Sequence, residues 1–263
     1  MAVTEYFLGG NTAKGFFSLY DDFCAGEEDF LWILKGGPGC GKSSFMRRIG
    51  KAAEQSYLDV EYVRCSGDPS SVDGVYIPAW KTGYVDGTAP HVIEPMLPGA
   101  KGLYVDLGRY YDRKALTEKR AQLQALTAGY KAQYTLAYEA LRQLPMPEIP
   151  RLEMPGKRRF ASAFTCQGMI RLEQTREPEE TVWYLHPVWP EYAEAVWIPE
   201  ENRRIRLPIL PEPEIETAAA HLALAKQVHD ELEEVYNPHV DFDGIYALAQ
   251  IHIARLKQEN SSL

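Results

Sequence analysis

Gly36 to Ser43, in "LKGGPGCGKSS", carry the residue types and the spacing, G-x-x-x-x-G-K-S, that can hold a phosphate group. Glycines let the backbone wrap so that successive N–H groups point inward at an anion, and a helix that follows adds its positive N-terminal end. On this reading Gly36, Gly37, Pro38, Gly39, Cys40, Gly41, Lys42, Ser43 and Ser44 form the binding loop. Lys42 would bridge the β- and γ-phosphates, Ser43 would hold Mg²⁺, and Ser44 would meet the α-phosphate. The flanks suit the motif. Phe30 to Leu34 reads as an apolar strand, and "SFMRRIGKAAEQ" has helical spacing at Phe45, Ile49 and Ala53.

Such a site usually takes a second metal ligand from an Asp at the end of a neighbouring strand. Asp86, closing "KTGYVDGT", fits best, because Tyr84 and Val85 precede it and a glycine follows. Lys42 and Asp86 are therefore the expected catalytic pair, and Ser43 and Asp86 the expected metal ligands. Asp68 and Asp73 follow the strand expected at Val60 to Cys65, but Asp-Pro and Asp-Gly are also ordinary turn chemistry. No acid follows Asp86 directly, which argues against fast hydrolysis. His91 and Glu94 are within sequence reach as alternative bases. The chain has no Asn/Thr-Lys-x-Asp element to read guanine, so ATP is the expected nucleotide.

The elements that must position these groups belong to an ordinary globular chain of 263 residues, 45% hydrophobic and 25% charged, with a net charge of −9. That balance argues against nucleic acid and against anionic membrane as general partners. The first residues lack the pattern of a secretory signal, and no run of about 18 apolar residues occurs, so a cytoplasmic protein is expected. Cys24, Cys40, Cys65 and Cys166 show no CxxC pairing, which fits a reduced compartment. Cys40 and Cys65, at the ends of neighbouring strands, are close enough on this reading to form a redox pair, though a buried Cys usually acts as a small hydrophobe.

Comparing the chain with itself reveals two offsets. "YFLGGNTAKGFF" from Tyr6 matches "RFASAFTCQGMI" from Arg159, pairing Thr12 with Thr165 and Gly15 with Gly168, 153 apart (168 − 15). "CSGDPSSVDGVYIP" from Cys65 matches "HPVWPEYAEAVWIP" from His186, pairing Val75 with Val196 and Ile77 with Ile198, 121 apart (198 − 77). The difference, 153 − 121 = 32, corresponds to the phosphate-loop strand, loop and helix, which the second copy lacks. Five segments are expected: a nucleotide-binding half at 1–111, a helical segment at 112–144, a Pro-rich linker at 145–156, a degenerate repeat at 157–210, and C-terminal helices at 211–263. Apolar spacing from Leu116 to Leu141 and from Ala218 to Val235 supports the helices. Lys157, Arg158 and Arg159 open the second repeat, where one could reach the phosphates as an arginine finger in cis. His221 and His229, eight residues apart, read as packing or surface residues rather than metal ligands.

With "GFFSLYDDF", "LKGGPGCGKSS", "CSGDPSSVDGV", "VDGTAPHVIEPMLPGA", "FASAFTCQG" and "AKQVHDELEEVYNPHVDF", the chain resembles a family of Firmicutes-type bacterial ATP-binding proteins of unknown physiological role, built from two tandem phosphate-loop halves. The resemblance implies a three-layer α/β sandwich with a mainly parallel sheet, and ATP binding through Gly36, Gly41, Lys42 and Ser43. The chain departs from the family pattern in lacking the second loop. The expected function is Mg²⁺-dependent ATP binding with slow hydrolysis coupled to a conformational change. A phosphotransferase with a small-molecule acceptor, or a non-catalytic nucleotide-binding module serving a protein partner, are the alternatives; the oligomeric state is left open.

Overall fold

The computed structural model describes residues 1–12, 15–89, 92–143, 159–165, 168–174, 184–185, 196–198, 203–205 and 212–260. Its centre is a six-stranded sheet of β1 (Val3–Tyr6), β4 (Phe30–Lys35), β5 (Val60–Arg64), β6 (Val72–Ile77), β7 (Thr82–Asp86) and β8 (Gly102–Asp106), in the order β1-β5-β6-β7-β4-β8. β1 pairs parallel with β5, and β4 pairs parallel with both β7 and β8. β6 alone runs antiparallel to its two neighbours. The fold is thus α/β with a mostly parallel, mixed sheet. β4 reads as an unbroken apolar run because both of its faces are buried.

Alternation along the strands divides the core in two. Trp32, Leu34, Tyr62, Val75, Ile77 and Tyr84 point to one face. There they meet Phe45, Met46 and Ile49 of α1 (Lys42–Glu54) and Ile245, Ala249, Ile253 and Leu256 of α5 (Phe242–Glu259). Ile33, Val63 and Val85 point to the other face, where they meet Tyr6, Phe7, Leu8, Leu19, Tyr20 and Phe23. Helices on both faces were expected. Among the described residues, helices cover one face, and the chain's own N-terminal segment, with the hairpin β2 (Gly9–Thr12) and β3 (Gly15–Ser18), covers the other. The apolar residues of "YFL" and "SLYDDF" do the covering.

The last helix, α5, returns to pack beside α1 on the N-terminal half. Asp241 caps it, accepting from the Gly244 amide at 2.9 Å. The helical segment after β8 is broken at Lys119 into α2 (Arg113–Glu118) and α3 (Arg120–Gln143). α3 lies antiparallel on α4 (Glu212–Tyr236), with Gln133 bonded to His221 at 2.8 Å and the Tyr130 ring tilted against that of His229. Ala137, Ala140 and Ala218 are small enough to let the two helices approach closely.

The strands of the second repeat keep the offsets read from the sequence. β9 (Arg159–Thr165) and β10 (Gly168–Gln174) form a hairpin with Thr165 opposite Gly168, as Thr12 stands opposite Gly15 in β2–β3. The two hairpins join in one sheet through Asn11 opposite Phe164. β12 (Val196–Ile198) and β13 (Arg203–Ile205) pair Val196 with Ile205 and Ile198 with Arg203. β6 and β7 pair Val75 with Tyr84 and Ile77 with Thr82, so each partner recurs 121 residues on (196 − 75; 205 − 84).

His252 of α5 marks where the helix is seated. Its ring packs edge-on against Trp32, Phe45 and Tyr84, and the Tyr84 hydroxyl and Nδ1 share a hydrogen bond at 3.0 Å. Burial, with Arg255 nearby, lowers its pKa to about 4 from the ordinary 6.5. The unfolded chain therefore binds a proton at His252 that the folded chain refuses. Stability from this group is complete above about pH 6.5 and is lost as the pH falls toward 4. Urea titrations at pH 7 and pH 4.5 should show the loss, and His252→Gln, whose amide can still bond to the Tyr84 hydroxyl without titrating, should flatten that part of the profile.

Candidate functional site

The loop after β4 turns sharply because Gly39 and Gly41 take positive φ, 66° and 80°, a region that favours glycine. It is also enclosed. A β-carbon at Gly39 would lie 2.7 Å from Asn237 Oδ1 and 3.2 Å from the Glu233 backbone, and one at Gly41 would lie 3.3 Å from the Phe242 ring. The end of α4 and the start of α5 thus close over the loop. Tyr111 donates to the Pro38 carbonyl at 3.3 Å and fixes the loop from the β8 side.

Lys42 opens α1 and folds back over the loop. Its Nζ donates to the carbonyls of Gly36 and Gly37, both at 2.9 Å, and stands 3.5 Å from Asp86 Oδ2. Burial pulls its pKa down, but Asp86, with Cys40 and Asp73, more than offsets this, and the group stays protonated. Asp86 divides its carboxylate. Oδ1 accepts from the Thr88 amide and hydroxyl, at 2.8 and 2.6 Å, while Oδ2 faces Lys42. Asp86 thus closes a turn with Thr88 and faces a cation at the same time. Ser43 Oγ accepts from the Val72 amide at 3.0 Å, and Ser44 is exposed.

These residues line one cavity of about 610 Å³. Gly36 to Ser44, Asp68, Asp73, Asp86 and Thr88 form its floor, and Tyr130, Tyr134, Lys226, His229, Glu233, Phe242 and Tyr246 come from the three long helices. Every residue expected in the loop and at the metal is brought together there. Of the other candidates, Asp68 is bonded to Ser70 and lies 3.4 Å from Lys226. Burial raises its pKa, but those partners outweigh it and hold the carboxyl below its ordinary range. Glu94 is not at the site: it pairs with Lys35 at 3.3 Å and with the Tyr104 hydroxyl. His91, Lys157, Arg158, Cys166 and the side chain of Arg159 lie outside the described residues. Cys40 and Cys65 are free thiols, each pushed up in pKa, first by burial, which disfavours a reactive thiolate.

Sequence reading missed the groups that α4 contributes. Glu233 Oε1 accepts the Gly39 amide at 3.2 Å, so a carboxylate sits on the glycine-rich loop itself. Lys226, two turns earlier on the same face, pairs with Asp230 at 2.7 Å as well as with Asp68. Their spacing, with Asn237 one turn beyond Glu233, is a polar stripe along one face of an amphipathic helix. That stripe was the available signal. Among the described residues no helix is long and apolar enough to cross a membrane. Compared with protein-family models, with curated proteins and with solved structures, the chain matches none.

Proposed function

We propose that this cavity binds Mg·ATP, that hydrolysis there is slow, and that α4 responds to the nucleotide. The observation that carries the proposal is the Glu233 carboxylate on the Gly39 amide. A loop amide that holds one oxyanion can hold another, and the phosphates of ATP would compete with Glu233 for it. Binding would then release the end of α4, whose Lys226 is available to turn from Asp68 and Asp230 toward the new charge. This is an order of events in which the ligand binds one position of α4 better than the other, which is what coupling requires.

Lys42 supplies the fixed positive charge. Ser43 and Asp86 are the residues that would hold Mg²⁺, which when bound neutralises charge developing on the transferring phosphoryl group. The slow rate follows from a carboxylate already engaged. Asp86, the acid nearest Lys42, is held by Thr88 and by Lys42 itself, so it does not stand ready to take a proton from water. A phosphotransferase is favoured by one feature: the cavity continues past the loop to Asn11, Phe16, Tyr130 and Tyr134, which leaves room for an acceptor. Release of ADP without phosphate, stimulated by an added acceptor, would select that reading.

Glu233→Gln tests the coupling. The amide side chain can still accept from Gly39 but carries no charge to repel a triphosphate. Because Glu233 is 39% exposed, its charge is partly screened, and the gain is set at about 1 kcal/mol, or about fivefold tighter ATP binding by calorimetry. Unchanged or weaker binding would remove Glu233 from the mechanism.

A further inference from the structure

If the phosphate-site reading holds, it fixes the direction in which a nucleoside triphosphate runs through the cavity. The terminal phosphates lie at Lys42 and Asp86, and Ser44 faces the α-phosphate, so the nucleoside leaves the loop past Ser44. The cavity wall on that side is Phe242 and Tyr246, one turn apart on α5. Their ring centroids are 6.1 Å apart with planes inclined by 31°. Both residues are half-buried, and the Arg48 guanidinium of α1 lies 3.7 Å from the centre of the Tyr246 ring.

The rings are held in place before any ligand arrives. Phe242 rests against Gly41 at the start of α1, Ile245 between the two aromatics is fully buried in the core, and Asp241 caps the helix while its own amide donates to the Tyr110 carbonyl at 2.9 Å. Aromatic residues at helical spacing usually serve a core. Ile245 and Ala249 on their flank are buried in the core, Tyr246 packs against it with part of its ring, and both Phe242 and Tyr246 also present surface to the cavity.

We propose that Phe242 and Tyr246, with Arg48, form a stacking platform for the base of a purine nucleotide. A platform recognises the face of a base and not its edge; every base has such a face, and the two-ring purines have the larger one. The ligand class is therefore purine nucleoside triphosphates in general, and ATP and GTP should bind within about threefold of each other.

Calorimetric titrations of the full chain with inorganic tripolyphosphate, ATP and GTP, each with Mg²⁺, test this. Stacking on an aromatic side chain is worth enough that Tyr246→Ala should weaken ATP and GTP about tenfold. The same variant should leave tripolyphosphate binding unchanged, and Tyr246→Phe should restore both nucleotides. The platform is overturned if ATP binds no tighter than tripolyphosphate, if Tyr246→Ala leaves ATP binding unchanged, or if that variant weakens tripolyphosphate equally, which would mean that it only disturbs the loop. Discrimination against GTP by more than about tenfold would overturn recognition by the face alone. Should the wild-type chain bind neither tripolyphosphate nor nucleotide, the phosphate site itself fails and the platform with it; tripolyphosphate binding without a gain from the base defeats the platform only.

Discussion

Lys42→Ala is expected to reduce phosphate release from Mg·ATP at least about a hundredfold, the range seen when one fixed charge-stabilising group is removed from a phosphoryl or acyl transfer site. The expectation rests on position. Nζ is tied to two loop carbonyls and to Asp86, and the side chain is only 12% exposed, so its charge acts in a medium that screens it weakly. Two effects combine in the variant. The γ-phosphate loses its counter-charge, and Asp86 loses the cation that faces Oδ2, which leaves a shielded carboxylate pointing at an incoming anion. ATP affinity should therefore fall together with turnover. Phosphate release assayed alongside calorimetry reads both, and a circular dichroism melt separates loss of the site from loss of the fold. A variant that hydrolyses ATP at the wild-type rate would end the proposal that this loop is the catalytic one.

The largest effect expected on stability comes from α5. Ile245 is fully buried between α1 and the sheet, and trimming it to alanine should cost about 3 kcal/mol. For a chain of this size that corresponds to a fall in Tm of roughly 6–12 °C. The site should feel the same change, because Ile245 packs behind Gly41 and its neighbour Phe242 touches the loop. Differential scanning calorimetry with and without ATP is the measurement. If Ile245→Ala melts within about 1 °C of wild type, α5 is an appendage and not part of the N-terminal half.

That helix shows where sequence reading succeeds and where it stops. The strand, loop and helix from Phe30 to Glu54 were legible because the chemistry is local: the glycines, the lysine and the apolar flanks are contiguous. Asp86 was legible from its place at a strand end. Glu233 was not, because it reaches Gly39 across 194 residues, and an acid on an amphipathic helix looks like any solvated face until its neighbour is known. The destination of α5 was hidden for the same reason. Spacing at Ile245, Ala249, Ile253 and Leu256 tells that one face is buried but not against what. Glu94 failed in the opposite way: its type suited a base, and its fold partners, Lys35 and Tyr104, claimed it.

The pairing of Asn11 with Phe164 carries a consequence of its own. These residues stand at matching places in the two copies, 153 apart (164 − 11), and their strands run antiparallel. Two matching strands paired antiparallel at matching residues are related by a dyad through that pair. Between separate molecules the arrangement would be an isologous dimer contact, in which one surface serves both partners and association stops at two. Here both surfaces belong to one covalent chain. Each hairpin shields the other's edge strand from recruiting further copies. The proximity of the two surfaces is set by chain length, not by protein concentration.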